Sequence, residues 1–181
     1  MHHQKVREFH EKHGFFTDAR LSIAHRELDP YTDAGQRDAA LLWSVGNTLV
    51  NTLYTLELAM MLSHEEGNHQ KALLFARLRL MVEELSEIAY ALRRGHEVDL
   101  LDGLADLIYV TYGTAVAFDL PLDEAIGIVH RSNMSKDVGE FKPVKGDDYV
   151  DPAQELSQLL KRHRETSKIT QHELPFEEKS T

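Results

Sequence analysis

The chain has 181 residues, with 20 Lys and Arg against 30 Asp and Glu, a formal net charge of −10 and no cysteine. That length suffices for one domain with its own core, or for a core that a partner subunit extends. The missing cysteine excludes a disulfide framework, a thiolate metal site and a Cys nucleophile, and the acidity disfavours a nucleic-acid partner held by phosphate neutralisation.

The N-terminus MHHQKVREFHEKHG is polar from the start and reads as no secretory leader. A cytoplasmic location is therefore expected. A first helix is predicted over residues 4–12, stopped by Gly14. Residues 15–36 hold Pro30, Gly35 and several Asp, and read as a loop. A long helix follows over 37–62, with Leu42, Val45, Leu49, Leu53, Leu56 and Met60 at three- and four-residue steps. It is apolar over more than half its circumference, so a homodimer or higher homo-oligomer is expected to cover it.

SHEEGNH breaks that helix. The next is predicted over 70–93, with Leu74, Leu78, Met81, Leu85, Ile88 and Leu92 as its inward stripe, and Gly95 ends it. Another is expected over 99–118, with Leu101, Leu104, Ile108 and Ala115 inward. The short connection RGHEV makes these two an antiparallel pair. Pro121 opens a helix ending near Arg131, a loop runs over 135–152, and a polar helix over 153–164 precedes a tail expected to be disordered. LIYVTYGTAVAF, the longest apolar stretch, falls short of the ~20 residues that span a bilayer, so no membrane partner is expected. The fold class is all-α, a four- to five-helix bundle. Residues 1–152 form its domain, 21–68 resemble an insert, and 153–181 form the polar helix and tail.

Five carboxylates occupy the antiparallel pair. Glu83, Glu84 and Glu87 lie in LMVEELSEIAYAL, and Asp102 and Asp106 in LLDGLADLIYV. Glu83 and Glu87 are one turn apart, as are Asp102 and Asp106, so the two acidic faces can meet across the hairpin. Clustered carboxylates repel, and a bound cation compensates them. All-oxygen ligands select a hard cation, Mg²⁺ with Mn²⁺ as a substitute. Arg79, one turn before Glu83, offers a plain salt bridge as the competing account of that Glu. Tyr109 and Gly113 continue the Asp stripe, and Tyr109 is placed to stack on or donate to a substrate. Arg131 and Lys136 in HRSNMSK offer positive charge to phosphates, with Asn133 between them; capping of a helix C-terminus is the alternative. His130, Lys142 and Lys145 are further candidates, and Trp43, Tyr54, Tyr109 and Tyr112 are the aromatic groups available to a base.

The pairing of EELSE with DGLADLIYVTYGTA, followed by HRSNMSK, resembles the all-α nucleoside triphosphate pyrophosphohydrolases, in their MazG-like and phosphoribosyl-ATP pyrophosphohydrolase-like branch. The family pattern is E-E-x-x-E on one helix and E-x-x-D on the next. Glu83, Glu84 and Glu87 match the first part and Asp106 the final Asp. The second Glu would fall at Gly103, where Asp102 is the neighbouring carboxylate. The resemblance implies Mg²⁺-dependent hydrolysis of a ribo- or deoxyribonucleoside triphosphate to a monophosphate and pyrophosphate. Glu83, Glu84, Glu87, Asp102 and Asp106 would hold the metal, with Glu84 also the general base. Phosphoribosyl-ATP is an alternative substrate, and a non-catalytic metal- or nucleotide-binding helical protein an alternative class. A di-iron bundle needs two Glu-x-x-His pairs, and only Glu66 with His69 fits.

Overall fold

The computed structural model describes residues 2–14, 32–140 and 142–173. These form six helices: α1 (His2–His13), α2 (Asp33–Glu65), α3 (His69–Arg94), α4 (Glu97–Ala117), α5 (Leu122–Met134) and α6 (Ala153–Glu173). No strand occurs among the described residues, and the pairing of Asp137 with Val144 is an isolated bridge. The all-α expectation is met. The helices fall into two compact units, one holding α2, α3 and α4, the other α1, α5 and α6.

In the first unit, the helix ends follow local chemistry. Thr32 caps α2 by accepting from the Gly35 amide at 3.0 Å, so the helix starts four residues before the expected Arg37. The expected loop at 15–31 lies outside the described residues. Gly67, at φ +71°, turns the chain, and Asn68 caps α3 by accepting from the Lys71 amide at 3.1 Å. Gly95 closes α3 in the left-handed conformation, φ 64°, as the sequence predicts.

The core of this unit is built on small residues. Ala72, Ala89, Ala91 and Ala115 are buried beside Leu56 and Val82. The expected leucine stripes are only partly inward. On α3, Leu74, Leu78 and Leu85 are exposed. On α4, Leu101 is 71% and Ile108 60% exposed, and Leu104 is exposed as well, while Gly103 and Ala115 are buried. The physical reason is close approach: alanine and glycine let helix backbones come near each other, and the larger apolar side chains are displaced to the flanks. By length and composition α4 would suffice to cross a membrane, with a mean hydropathy of 1.2 over an 18-residue window.

Two contacts fix α3 and α4 as antiparallel. A Cβ at Gly103 would lie 3.0 Å from Ile88 Cγ1, and one at Gly113 would lie 3.3 Å from an Arg77 guanidinium nitrogen. Moving away from the Gly95 turn, the partners advance in step on both helices. Glu84 and Asp106 each sit about one turn beyond the Ile88–Gly103 contact.

In the second unit, Glu8 of α1 pairs with His130 of α5 at 3.3 Å, and His2 with Asp123 at 2.8 Å. His13 is buried, its Nδ1 2.9 Å from the Phe9 carbonyl and its Nε2 3.2 Å from that of Lys136. Helix α6 runs to Glu173, nine residues past the expected end, and residues 174–181 of the expected tail lie outside the described residues. Asp119, with φ 50°, holds α6 through His163 at 2.8 Å and the Ser167 hydroxyl at 3.3 Å.

Candidate metal and catalytic site

The antiparallel register turns the acidic faces of α3 and α4 toward one neighbourhood. Glu83 and Glu84 are half-buried, while Glu87, Asp102 and Asp106 are exposed at the rim. The other four act on the charge of Glu84. Burial raises the Glu84 carboxyl above the ordinary value of 4.5, and Glu87, Asp106, Glu83 and Asp102, in that order, raise it further. Two of those four neighbours stand on each helix, so the site spans the hairpin.

The cluster is not closed around a point. Among the described residues, no three carboxylate or imidazole side chains converge at metal-ligand distance. Glu83 is held by Arg79 at 2.9 Å, the i,i+4 pair that the sequence offers as its competing account. The Ser86 hydroxyl donates to the Glu83 carbonyl at 2.7 Å, which fixes Ser86 without engaging any carboxylate. The donor chemistry nevertheless fits a hard divalent cation: only oxygens, with four carboxylates that raise the proton affinity of Glu84. Convergence requires rotation of exposed carboxylates such as Glu87 and Asp106, and exposed side chains turn readily.

Gly103 accounts for the departure from E-x-x-D. It is buried against Ile88, where a Glu side chain would have no room. Asp102, one residue earlier, is exposed and contributes to the charge felt at Glu84.

The remaining predicted residues are distributed as follows. Tyr109 is on α4, one turn past Asp106, and is 79% exposed. Arg131, Asn133 and Lys136 belong to the other unit. There Lys136 Nζ donates to Asn133 Oδ1 at 2.8 Å, and the Lys136 carbonyl accepts from Lys12 at 2.9 Å. Arg131 pairs with Glu155. Of the histidines, His64 and His69 meet edge to face with centroids 5.1 Å apart. Lys145 lies over the Tyr149 ring at 4.5 Å, and Lys142 is exposed in the same loop.

One feature escaped the sequence. A cleft of about 340 Å³ opens between α2 and α3 beside Glu87, with Trp43, Asn47, Tyr90 and Arg93 in its walls. Pairing α2 against α3 about the Gly67 turn would have aligned these residues. Reading each helix for its own apolar stripe does not.

Residues 53–133 match the family model described as phosphoribosyl-ATP pyrophosphohydrolase. The match begins within α2 and takes in all five carboxylates, Tyr109, Arg131 and Asn133. No curated protein and no solved structure matches the chain closely enough to carry an argument. Through residues 53–133, with EELSE and the Asp pair of α4 at the facing positions, the chain is similar to the phosphoribosyl-ATP pyrophosphohydrolases, hydrolases that act on phosphorus-containing anhydrides.

Proposed function

We propose that the protein hydrolyses a nucleoside triphosphate between its α and β phosphates, releasing a nucleoside monophosphate and pyrophosphate, with Mg²⁺ as cofactor and Mn²⁺ as a substitute. The observation that carries this reading is the placement of five carboxylates on the two antiparallel helices α3 and α4, four of them close enough to act on Glu84. Glu83, Glu87, Asp102 and Asp106, with Glu84, would hold the cation, which when bound offsets phosphate charge and lowers the cost of the departing pyrophosphate.

Glu84 is the general base in this reading. Burial and its four acidic neighbours raise its carboxyl, and a raised pKa makes it a better acceptor for the proton of the attacking water. The water oxygen bonds to phosphorus, its proton passes to Glu84, and the bridging oxygen leaves with pyrophosphate. Tyr109, exposed beyond Asp106, is available to the substrate. Arg131, Asn133 and Lys136 are proposed as phosphate contacts on their chemistry alone, two cations and an amide within one short segment. Phosphoribosyl-ATP is a second substrate reading, favoured by the description of the matching family.

The protein is further proposed to be a homo-oligomer in the cytoplasm, without a nucleic-acid or membrane partner. Exposed Leu101, Leu104 and Ile108 on α4, with Leu41 and Tyr54 on α2, leave more apolar surface than one copy covers. Asp106 in the middle of α4 would cost roughly 2.5–3.5 kcal/mol at a bilayer centre, which argues for a water-facing helix.

The test is pyrophosphate release from ribo- and deoxyribonucleoside triphosphates and phosphoribosyl-ATP, with Mg²⁺, Mn²⁺ or EDTA. Metal-dependent release that Glu84→Gln abolishes while metal binding persists supports the reading. Release that survives EDTA, or no release from any nucleotide, overturns it.

A further inference from the structure

We propose that the cleft between α2 and α3 seats the base of the nucleotide, stacked against Trp43 and Tyr90, with Asn47 reading its edge. The inference rests on the pyrophosphohydrolase reading and adds to it where the base goes.

Continuity with the acidic cluster comes first. Glu87 lines the cleft and lies within one helical turn of Glu83 and Glu84 on α3. A nucleotide whose phosphates meet the carboxylates therefore has its remaining portion within reach of this cleft. The walls come second. Trp43 and Tyr90 project from facing helices and are each 54% exposed, a cost in water that a flat aromatic ligand removes. The Arg94 guanidinium lies 5.4 Å from the centroid of the Tyr90 ring and does not line the cleft, so it steadies that ring from outside.

The floor comes third. Gly46 lies about one turn after Trp43 on α2, and a Cβ there would meet nothing within 4 Å, so the wall is recessed where a planar group would enter. Polar groups come last. Asn47 carries both an acceptor and a donor in one plane, the pattern that pairs with a base edge. Arg93 marks the end of the cleft six residues from Glu87, about 9 Å along the helix. A few polar groups in a mostly apolar recess of this size is the usual make-up of a small-molecule site. The α2 wall, residues 42–50, lies outside the segment that matches the family model. It is thus a feature of this chain that the match does not account for, and a place where base preference is set.

The experiment uses Trp43 as its own reporter, since it is the sole tryptophan of the chain. Its emission is titrated in EDTA with the common nucleosides, with their triphosphates, and with pyrophosphate as a base-free control. Pyrophosphate release with Mg²⁺ is followed separately. The expected result is a saturable change with at least one nucleoside and its triphosphate, and none with pyrophosphate. Tyr90→Leu should weaken that nucleoside about tenfold or more, the scale of one lost stacking contact. Asn47→Leu should alter the ratio of kcat/KM between bases while leaving pyrophosphate affinity unchanged. Pyrophosphate release with Trp43 emission unmoved by every nucleoside and nucleotide overturns the base site and leaves the hydrolase reading standing, as it would if a second copy of the chain covers this face. An emission response without release from any substrate does the reverse.

Discussion

Gly103 lies against Ile88, so closely that a Cβ at position 103 would stand 3.0 Å from Ile88 Cγ1. The position at which the family pattern places a Glu is here the point where α3 and α4 touch. The expected outcome is that Gly103→Glu does not restore a ligand but destabilises the protein, by roughly 1–3 kcal/mol for overpacking alone. Gly103→Ala should be milder, since the helix-propensity gain of about 1 kcal/mol opposes the displacement of Ile88. Thermal melts of the two variants check this, and a Gly103→Glu protein as stable as wild type would contradict the packing account.

The charge on Glu84 has a pH signature. Its carboxyl is raised in the folded protein, by burial first and by its four acidic neighbours after that. The fold therefore favours the protonated form. Its contribution is present below the ordinary value of 4.5 and is lost as pH rises through the raised value. The metal-free protein should lose stability across that window. Glu84→Gln should raise Tm at neutral pH and flatten the decline. Added Mg²⁺ should raise Tm more at pH 8 than at pH 4.5, and differential scanning fluorimetry across pH reads both effects.

Arg79 competes with a cation for Glu83. The pair is at 2.9 Å and partly exposed on both sides, where such bridges contribute about 0–1 kcal/mol. Arg79→Ala should therefore cost little stability and should tighten divalent-cation binding a few-fold. Titration calorimetry with Mn²⁺ decides; weaker binding in the variant would mean that Arg79 positions Glu83 for the metal instead of withholding it.

Asp119 holds α6 from a left-handed backbone position. The hydrogen bond from His163 pulls its carboxyl below the ordinary value of 3.8, with the His163 charge and the Ser167 hydroxyl adding to the effect. This contribution is present above 3.8 and is lost as pH falls through the lowered value. Asn tolerates the left-handed region, so Asp119→Asn removes the charge without adding backbone strain. Amide exchange in α6 should accelerate in that variant relative to α3.

The exposed face of α4 should be closed by a second copy. Leu101→Glu with Ile108→Glu places two charges on that face without touching a carboxylate of the site. Sedimentation should show a smaller species than wild type. An unchanged sedimentation coefficient would place the interface elsewhere, α2 being the next candidate.

The helices and the acidic motif were legible because their signals are local. Gly95, the break at SHEEGNH and the spacing of Glu83, Glu84 and Glu87 each act within a turn or two of chain. The inward faces were less legible. Leucine periodicity on α3 and α4 pointed to Leu85 and Leu101, yet Ala89 and Gly103 are the buried positions, because size at a helix crossing counts for more than hydrophobicity. The start of α2 was missed because Thr32 caps from outside the apolar pattern. The cleft at Trp43 and Tyr90 depends on how two helices align, and no single-helix pattern carries that.

Helix α3 is pinned at both ends, by the Asn68 cap and by the left-handed Gly95. Its residues cannot slide or unwind to compensate for a change in length. One residue inserted between Lys71 and Glu83 would rotate the downstream helix by about 100° relative to its start, carrying the three Glu away from α4 or breaking a cap to keep them there. The stretch between those two pins should therefore accept many substitutions on its outer side but almost no insertion or deletion: what it preserves is an angular phase, and evolution can edit its letters far more freely than its count.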